Sequence, residues 1–224
     1  MLDMNTEDTV KAEILVKINN WINTYSKQLT TNQKKYLSKM TDEENSKLQN
    51  FYSVMKIHKP PIDLLPITAC CGGVLCRLGV IVDIYLQKVE KTFDSYIKNS
   101  TTFRRNTTQN NMKRGMAIWT ADAKALYTNI LTKTAIGIIN QCLFFNSSKF
   151  PVFLVRTICK GLKFIMENNV FAFGDTLWQQ VNGAAMGKPP NLSYSTIFFG
   201  IHELSMIPEM KKTWIPTILF LLPI

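Results

Sequence analysis

Residues 168–190 read NNVFAFGDTLWQQVNGAAMGKPP, and this stretch decides the fold class. Asn168-Asn169 interrupts a helical pattern. Two short runs rich in aromatic and β-branched residues, 170–173 and 177–181, bracket Gly174-Asp175, which predicts a β-hairpin. Gly183 and Gly187 then lead into Pro189-Pro190, residue chemistry suited to a helix start, and a helix is expected over about 190–204. Upstream, 132–145 and 150–167 carry apolar residues at helical spacing. Residues 116–120 form a compact apolar strand running into Asp122. Further back, 98–115 reads as a polar, basic connector holding Lys98, Arg104, Arg105, Lys113 and Arg114, and 74–98 returns to helical spacing. Residues 51–57 are strand-like and stop at Lys59-Pro60-Pro61. Ile67-Thr68 offers a partner strand, and Gly72-Gly73 a turn. At the start, Val10, Ile14, Leu15, Ile18, Trp21 and Ile22 predict a helix over 7–28 with Thr6 as its cap. A second, polar helical stretch is expected over 32–49. Helices and antiparallel hairpins alternate without a βαβ repeat, which favours an α+β fold over a doubly wound one.

The chain has 224 residues, 46% of them hydrophobic, enough for one large domain or two small ones with a sizeable core. No apolar run reaches the roughly 18–20 residues that cross a bilayer, so no membrane partner is expected. The start, MLDMNTEDTVKAE, lacks the basic-then-apolar order of a secretory signal. An intracellular chain, cytoplasmic or nuclear, is the expectation. The formal charge is +10, of which residues 1–60 contribute +2 and residues 61–224 contribute +8. Such an excess suits a polyanion, whose counterions are released on contact. The five cysteines, Cys70, Cys71, Cys76, Cys142 and Cys159, are odd in number and lack zinc-site spacing, so they read as buried free thiols.

Three segments carry chemistry. Asp122 would hold its carboxylate at a strand exit, five residues before Tyr127. The run Gln180 to Pro190 places glycines beside a helix start, where a ligand can approach backbone, yet it is neither a P-loop nor a dinucleotide fingerprint. In 51–61, FYSVMKIHKPP, strand alternation puts Lys56 and His58 on one face. Each segment alone has an ordinary structural reading as a cap, a helix start or a basic exposed strand.

In this order the three resemble the reverse transcriptases of Penelope-like retroelements, which share a polymerase palm with telomerase. The family's LPKIHK-like fingers segment is similar to VMKIHK here, its RPI to Leu65-Pro66-Ile67, and its Gly-Ser turn to Gly72-Gly73. Its first palm motif, D-x-x-x-L-Y/F-T-N-I/V, matches Asp122 to Ile130, and Q-x-x-G-x-x-M-G-S-P matches Gln180 to Pro189 with Lys188 in place of Ser. Glu203 fits the end of the following helix. The resemblance spans about 51–203.

It implies a right-hand polymerase fold. Residues 1–50 would be a helical N-terminal extension, 51–115 fingers, 116–203 a partial palm and 204–224 a divergent apolar tail, with the thumb absent. The implied activity is RNA-directed DNA synthesis with two Mg2+ ions, on an RNA template and DNA primer, from deoxynucleoside triphosphates. Asp122 would be the catalytic metal carboxylate, with the Ala123 carbonyl as a second ligand. Tyr127 would lie under the sugar and reject a 2′-hydroxyl. Lys56 and Lys59 would meet phosphates, Gln180 and Met186 would line the pocket, and Gly187 would let template or nucleotide approach the backbone. Two departures matter: Leu65 stands where the family has an Arg, and no Asp follows Asp175, so the Y/F-x-D-D strand is missing. The expectation is therefore a catalytically dead fragment of a decaying element. The alternative is a non-catalytic RNA-binding remnant of the same fold, and a further one is a helical interaction protein whose motif matches are accidental.

Overall fold

The computed structural model describes residues 5–39, 46–57, 62–93, 95–109, 126–146 and 152–213. Helix α1 (Asn5–Thr24) buries Ile14, Leu15, Ile18 and Trp21, the apolar positions its spacing singles out. It begins at Asn5, so Thr6 lies within the helix rather than capping it. Helix α2 (Thr31–Ser38) starts on a capping box in which Thr30 and Gln33 satisfy each other's backbone N–H. It ends at Ser38, well short of 49, where strand β1 (Gln49–Lys56) begins.

Strand β2 (Asp63–Thr68) pairs antiparallel with β1, Phe51 opposite Thr68 and Lys56 opposite Asp63. Helix α3 (Cys76–Glu90) follows a tight turn and ends eight residues before the expected 98. The expected basic connector contains a helix, α4 (Ser100–Gln109). Asn99 nucleates it: its Oδ1 accepts from the Thr102 N–H at 2.9 Å, satisfying an end donor that a Thr-rich sequence would otherwise leave to water.

After the single turn α5 (Leu126–Asn129), helices α6 (Thr132–Phe145) and α7 (Val152–Glu167) fall where the periodicity predicts. The hairpin follows as β3 (Val170–Phe173) and β4 (Thr176–Gln179), with Gly174 at φ +57° in its turn. Helix α8 (Asn191–Thr213) closes the described chain.

The four strands form one sheet in the order β2-β1-β3-β4. Its central pair is parallel, Gln49 opposite Phe171, so the protein is α+β with a mixed sheet rather than antiparallel hairpins alone. The two pairing partners are joined by the whole α3–α7 segment, long enough to serve as a crossover.

A single apolar cluster unites Ile18 and Trp21 of α1, Leu78 and Val82 of α3, Ile139 of α6, Ile158 and Leu162 of α7 and Ile197 of α8. The N-terminal helices are thus built into this core. Gly161 makes the packing possible: a Cβ there would stand 3.0 Å from Val82 Cγ2 and 3.2 Å from Trp21 Cζ2. A side chain at 161 would force α1, α3 and α7 apart.

Candidate functional site

The segment 180–190 is stitched to two distant parts of the chain. The Thr68 N–H of β2 donates to the Met186 carbonyl at 2.9 Å, the Ala184 N–H to the Tyr127 carbonyl at 2.7 Å, and the Gly183 N–H to the Ile130 carbonyl at 2.8 Å. Gly183 sits at φ +82°, and a Cβ on it would stand 2.7 Å from the Tyr127 carbonyl. Only glycine serves where a positive φ and a backbone contact coincide.

These joins bound a cleft of about 440 Å³ lined by Asp83, Tyr127, Met186, Gly187, Lys188 and Asn191, with Pro189 and Leu192. That volume suits a small organic ligand. Of the residues expected to form a site, the structure brings together Tyr127, Met186 and Gly187. Burial pushes the Tyr127 hydroxyl above its ordinary pKa. Gly187 lines the cleft, but the space left by its missing side chain is taken by β2: a Cβ would stand 2.9 Å from the Thr68 carbonyl oxygen and 3.2 Å from Ile67 Cγ2. Its glycine is thus required for packing against the hairpin, while the residue still lines the cleft.

Gln180 departs from expectation as well. It is not among the residues lining the cleft; its Oε1 accepts from Asn169 Nδ2 at 2.7 Å and its Nε2 donates to the Asn182 carbonyl at 2.9 Å. Lys56 is half-buried on β1, on the sheet face shared with Leu65 and Ile67. It lies outside the cleft lining. Asp122, Ala123, Lys59 and His58, with the expected strand 116–120, lie outside the described residues.

The largest surprise is Lys188, which the alignment of motifs marked only as a departure. It is 6% exposed, and its ammonium donates to Asn169 Oδ1. Burial lowers its pKa from 10.5 to about 7, with Cys70 and Cys76 pulling it back up. Asp83 is a second unforeseen member. Its Oδ2 accepts from Gln87 Nε2 at 2.8 Å, while its Oδ1 is buried with no partner. Asn191 donates to the Ala185 carbonyl at 2.5 Å and also keeps a buried, unpartnered Oδ1. The one legible signal for Asp83 is its place inside the apolar run Gly79–Leu86, where a carboxylate has no packing role.

Magnesium needs a shell of about six oxygens. Among the described residues no three His, Cys, Asp or Glu side chains gather as such a group, and Asp83 is the one carboxylate lining the cleft. The described donors do not fit a two-metal centre.

Further along the seam between α3 and α8, a void of about 20 Å³ is lined by Glu90, Ser95, Gly200 and Glu203, room for one water. Burial raises the pKa of both carboxyls. Glu203 is therefore an internal residue of α8 packed against α3. The thiols also differ from expectation: Cys70 and Cys159 are buried, Cys76 and Cys142 half-buried, and Cys71 exposed at the turn.

Comparison with protein-family models, curated proteins and solved structures returns no match.

Proposed function

We propose that this chain is the fingers and partial palm of a reverse transcriptase domain of the Penelope-like type, with its cleft receiving the incoming nucleotide. One observation carries the reading. Tyr127 of the first palm motif and Met186 to Pro189 of the second line one nucleotide-sized cleft and are joined by the Ala184–Tyr127 hydrogen bond, and strand β2, which carries Leu65-Pro66-Ile67, is tied to the same loop by the Thr68–Met186 hydrogen bond. In this reading Tyr127 packs against the sugar and limits room at its 2′ position, while Met186 and Leu192 supply apolar wall. Lys56, on the β1–β2 hairpin outside the cleft lining, is the residue this reading assigns to phosphate. The 224 residues contain Asp122 but no aspartate beyond 175, so the chain assayed alone binds without extending a primer.

Photocrosslinking tests the assignment on the intact chain. A photoreactive deoxynucleoside triphosphate should label peptides 126–130 and 183–192, and unmodified deoxynucleotide should compete. Labelling spread over the surface, with no enrichment in those peptides, would sink the reading.

The alternative, an RNA-binding protein without catalysis, is favoured by a separate observation. Phe51, Phe171 and Phe173 share one sheet face, with ring centroids 5.5 and 5.3 Å from Phe51. Trp178 stands opposite Phe171 on that face and is 56% exposed. An aromatic surface of this kind stacks bases without regard to sequence. Helix α7 adds the exposed basic residues Arg156, Lys160 and Lys163 at helical spacing. RNA binding that survives blockade of the cleft by nucleotide analogue would point to this face.

A further inference from the structure

Away from the cleft, two acidic side chains share a small void and have no cation to face. We propose that Glu90 of α3 and Glu203 of α8 hold a single Ca2+ ion in that void, a site that clamps the two helices together.

The end of α3 is shaped to enclose the space. Tight turns follow one another there: the Thr92 N–H donates to the Val89 carbonyl at 2.9 Å, the Phe93 N–H to the Glu90 carbonyl at 3.2 Å and the Tyr96 N–H to the Phe93 carbonyl at 3.0 Å. The chain after Glu90 thereby turns back, and Phe93, Ser95 and Tyr96 line the void together with α8. On α8, Thr196, Gly200 and Glu203 stand at i, i+4 and i+7, the spacing of one helix face. All three line the void. Gly200 lets the turn close on the helix, since a Cβ there would stand 3.1 Å from Phe93 Cδ1.

The carboxyls lack a positive partner. Glu203 is 5% exposed, and its Oε1 is buried with no hydrogen-bond partner. Glu90 is half-buried. No lysine, arginine or histidine lines the void, and among the described residues no ion pair includes either carboxyl. A buried carboxylate without a donor or a cation is costly, so the pair takes up either a metal ion or a proton.

Size and charge select the ion. A void of about 20 Å³ admits one water-sized occupant. Two carboxylates neutralise a divalent cation, and Glu90 is the last residue of α3, where the helix dipole is negative. Ser95, Tyr96 and Thr196 add hydroxyl groups to the lining residues. Calcium accepts an irregular oxygen shell with bidentate carboxylates, whereas Mg2+ demands a regular octahedron and keeps several waters, for which there is no room. Protons compete with the ion. Burial raises the pKa of both carboxyls; at Glu90 the Ser193 hydroxyl and Lys91 offset the rise and Asp83 adds to it, and at Glu203 the Ser95 hydroxyl offsets it. Calcium binding therefore weakens as pH falls through the carboxyl range.

The test uses the intact chain, stripped of metal and free of nucleotide. At neutral pH, saturating calcium chloride should raise the thermal midpoint by about 5 °C. Magnesium chloride at the same concentration should do much less, and Glu203→Gln should abolish the calcium shift. Terbium gives a readout that needs no carboxyl variant. Bound in this void it lies beside Tyr96, so tyrosine excitation should produce sensitised Tb3+ emission that Ca2+ displaces and Tyr96→Phe lowers several-fold. A calcium shift that persists in Glu203→Gln overturns the proposal, because the ion then sits elsewhere. Absence of any calcium response in the wild type, with Glu203→Gln the more stable protein, overturns it in favour of a shared proton. An equal response to Mg2+, or terbium emission indifferent to Tyr96→Phe, also overturns it. The void and the cleft have no lining residue in common, so none of these results bears on the nucleotide reading, which the crosslinking pattern decides.

Discussion

Replacing Lys188 with methionine keeps the length of the side chain and removes its charge. In the native protein burial lowers the ammonium from 10.5 to about 7, whereas the unfolded chain keeps the ordinary value. Between pH 7 and about 10 the unfolded state therefore holds the extra proton, and native stability rises with pH across that window. Below about pH 7 both states are protonated and the burial penalty is complete. One pKa unit corresponds to about 1.4 kcal/mol, so Lys188 contributes a rise of roughly 2 kcal/mol between pH 7 and 9. Cys76 acts in the same direction. Its pKa is lowered to about 7 in the native state, so its stabilisation is present above pH 9 and is lost as pH falls through about 7. Cys70, raised in the native state, lowers stability only above its ordinary range, beyond this window. Lys188→Met removes the lysine's share and weakens the Cys76 share, because the two charges favour each other. The wild type should gain at least about 2 kcal/mol from pH 7 to 9 and the variant distinctly less. At pH 7 the variant should be the more stable by about 1–2 kcal/mol, the burial penalty being partly offset by an Asn169 Oδ1 left without its donor. Urea denaturation followed by tryptophan fluorescence at pH 7, 8 and 9 measures both quantities. Parallel pH profiles for the two proteins would refute the reasoning, since they would mean that Lys188 reaches water.

Gly187→Ala combines φ +93° with a Cβ 2.9 Å from the Thr68 carbonyl oxygen, and should cost about 2–4 kcal/mol; a loss under 0.5 kcal/mol in the same denaturation assay would disprove the close packing of this loop on β2. Trp178→Ala, at an exposed site, should leave the urea midpoint nearly unchanged while weakening single-stranded RNA binding by about 1–3 kcal/mol, read by fluorescence anisotropy. Binding by the wild type should fall steeply with added salt, as phosphate contacts require, and a flat salt profile would exclude them. Leu65 is half-buried on β2, opposite Val54. Leu65→Arg should tighten triphosphate binding, measured by calorimetry, without enabling primer extension; unchanged affinity would remove residue 65 from the phosphate path.

Local pattern was sufficient wherever burial is periodic. The α6 and α7 helices, the β3–β4 hairpin around Gly174 and the apolar stripe of α1 could all be read from spacing, because a 3.6- or 2-residue repeat is written into any segment that buries one face. The glycine-rich segment 180–190 could likewise be recognised as a place where backbone comes close to something. What it comes close to was decided only by the tertiary structure: the Gly187 gap faces β2, and Gln180 turns to Asn169. Helix α4 was illegible because its stability rests on the Asn99 cap rather than on an apolar stripe. The parallel β1–β3 pairing was illegible because nothing local records which edge a strand meets after a long crossover. Lys188 is the sharpest case. A lysine in a glycine-proline loop reads as a solvated charge, and only the packing of that loop between β2 and α3 buries it and turns its ammonium to Asn169. Sequence periodicity encodes which face of an element is dry. The desolvation that alters a side chain's chemistry is set by which elements then close over it.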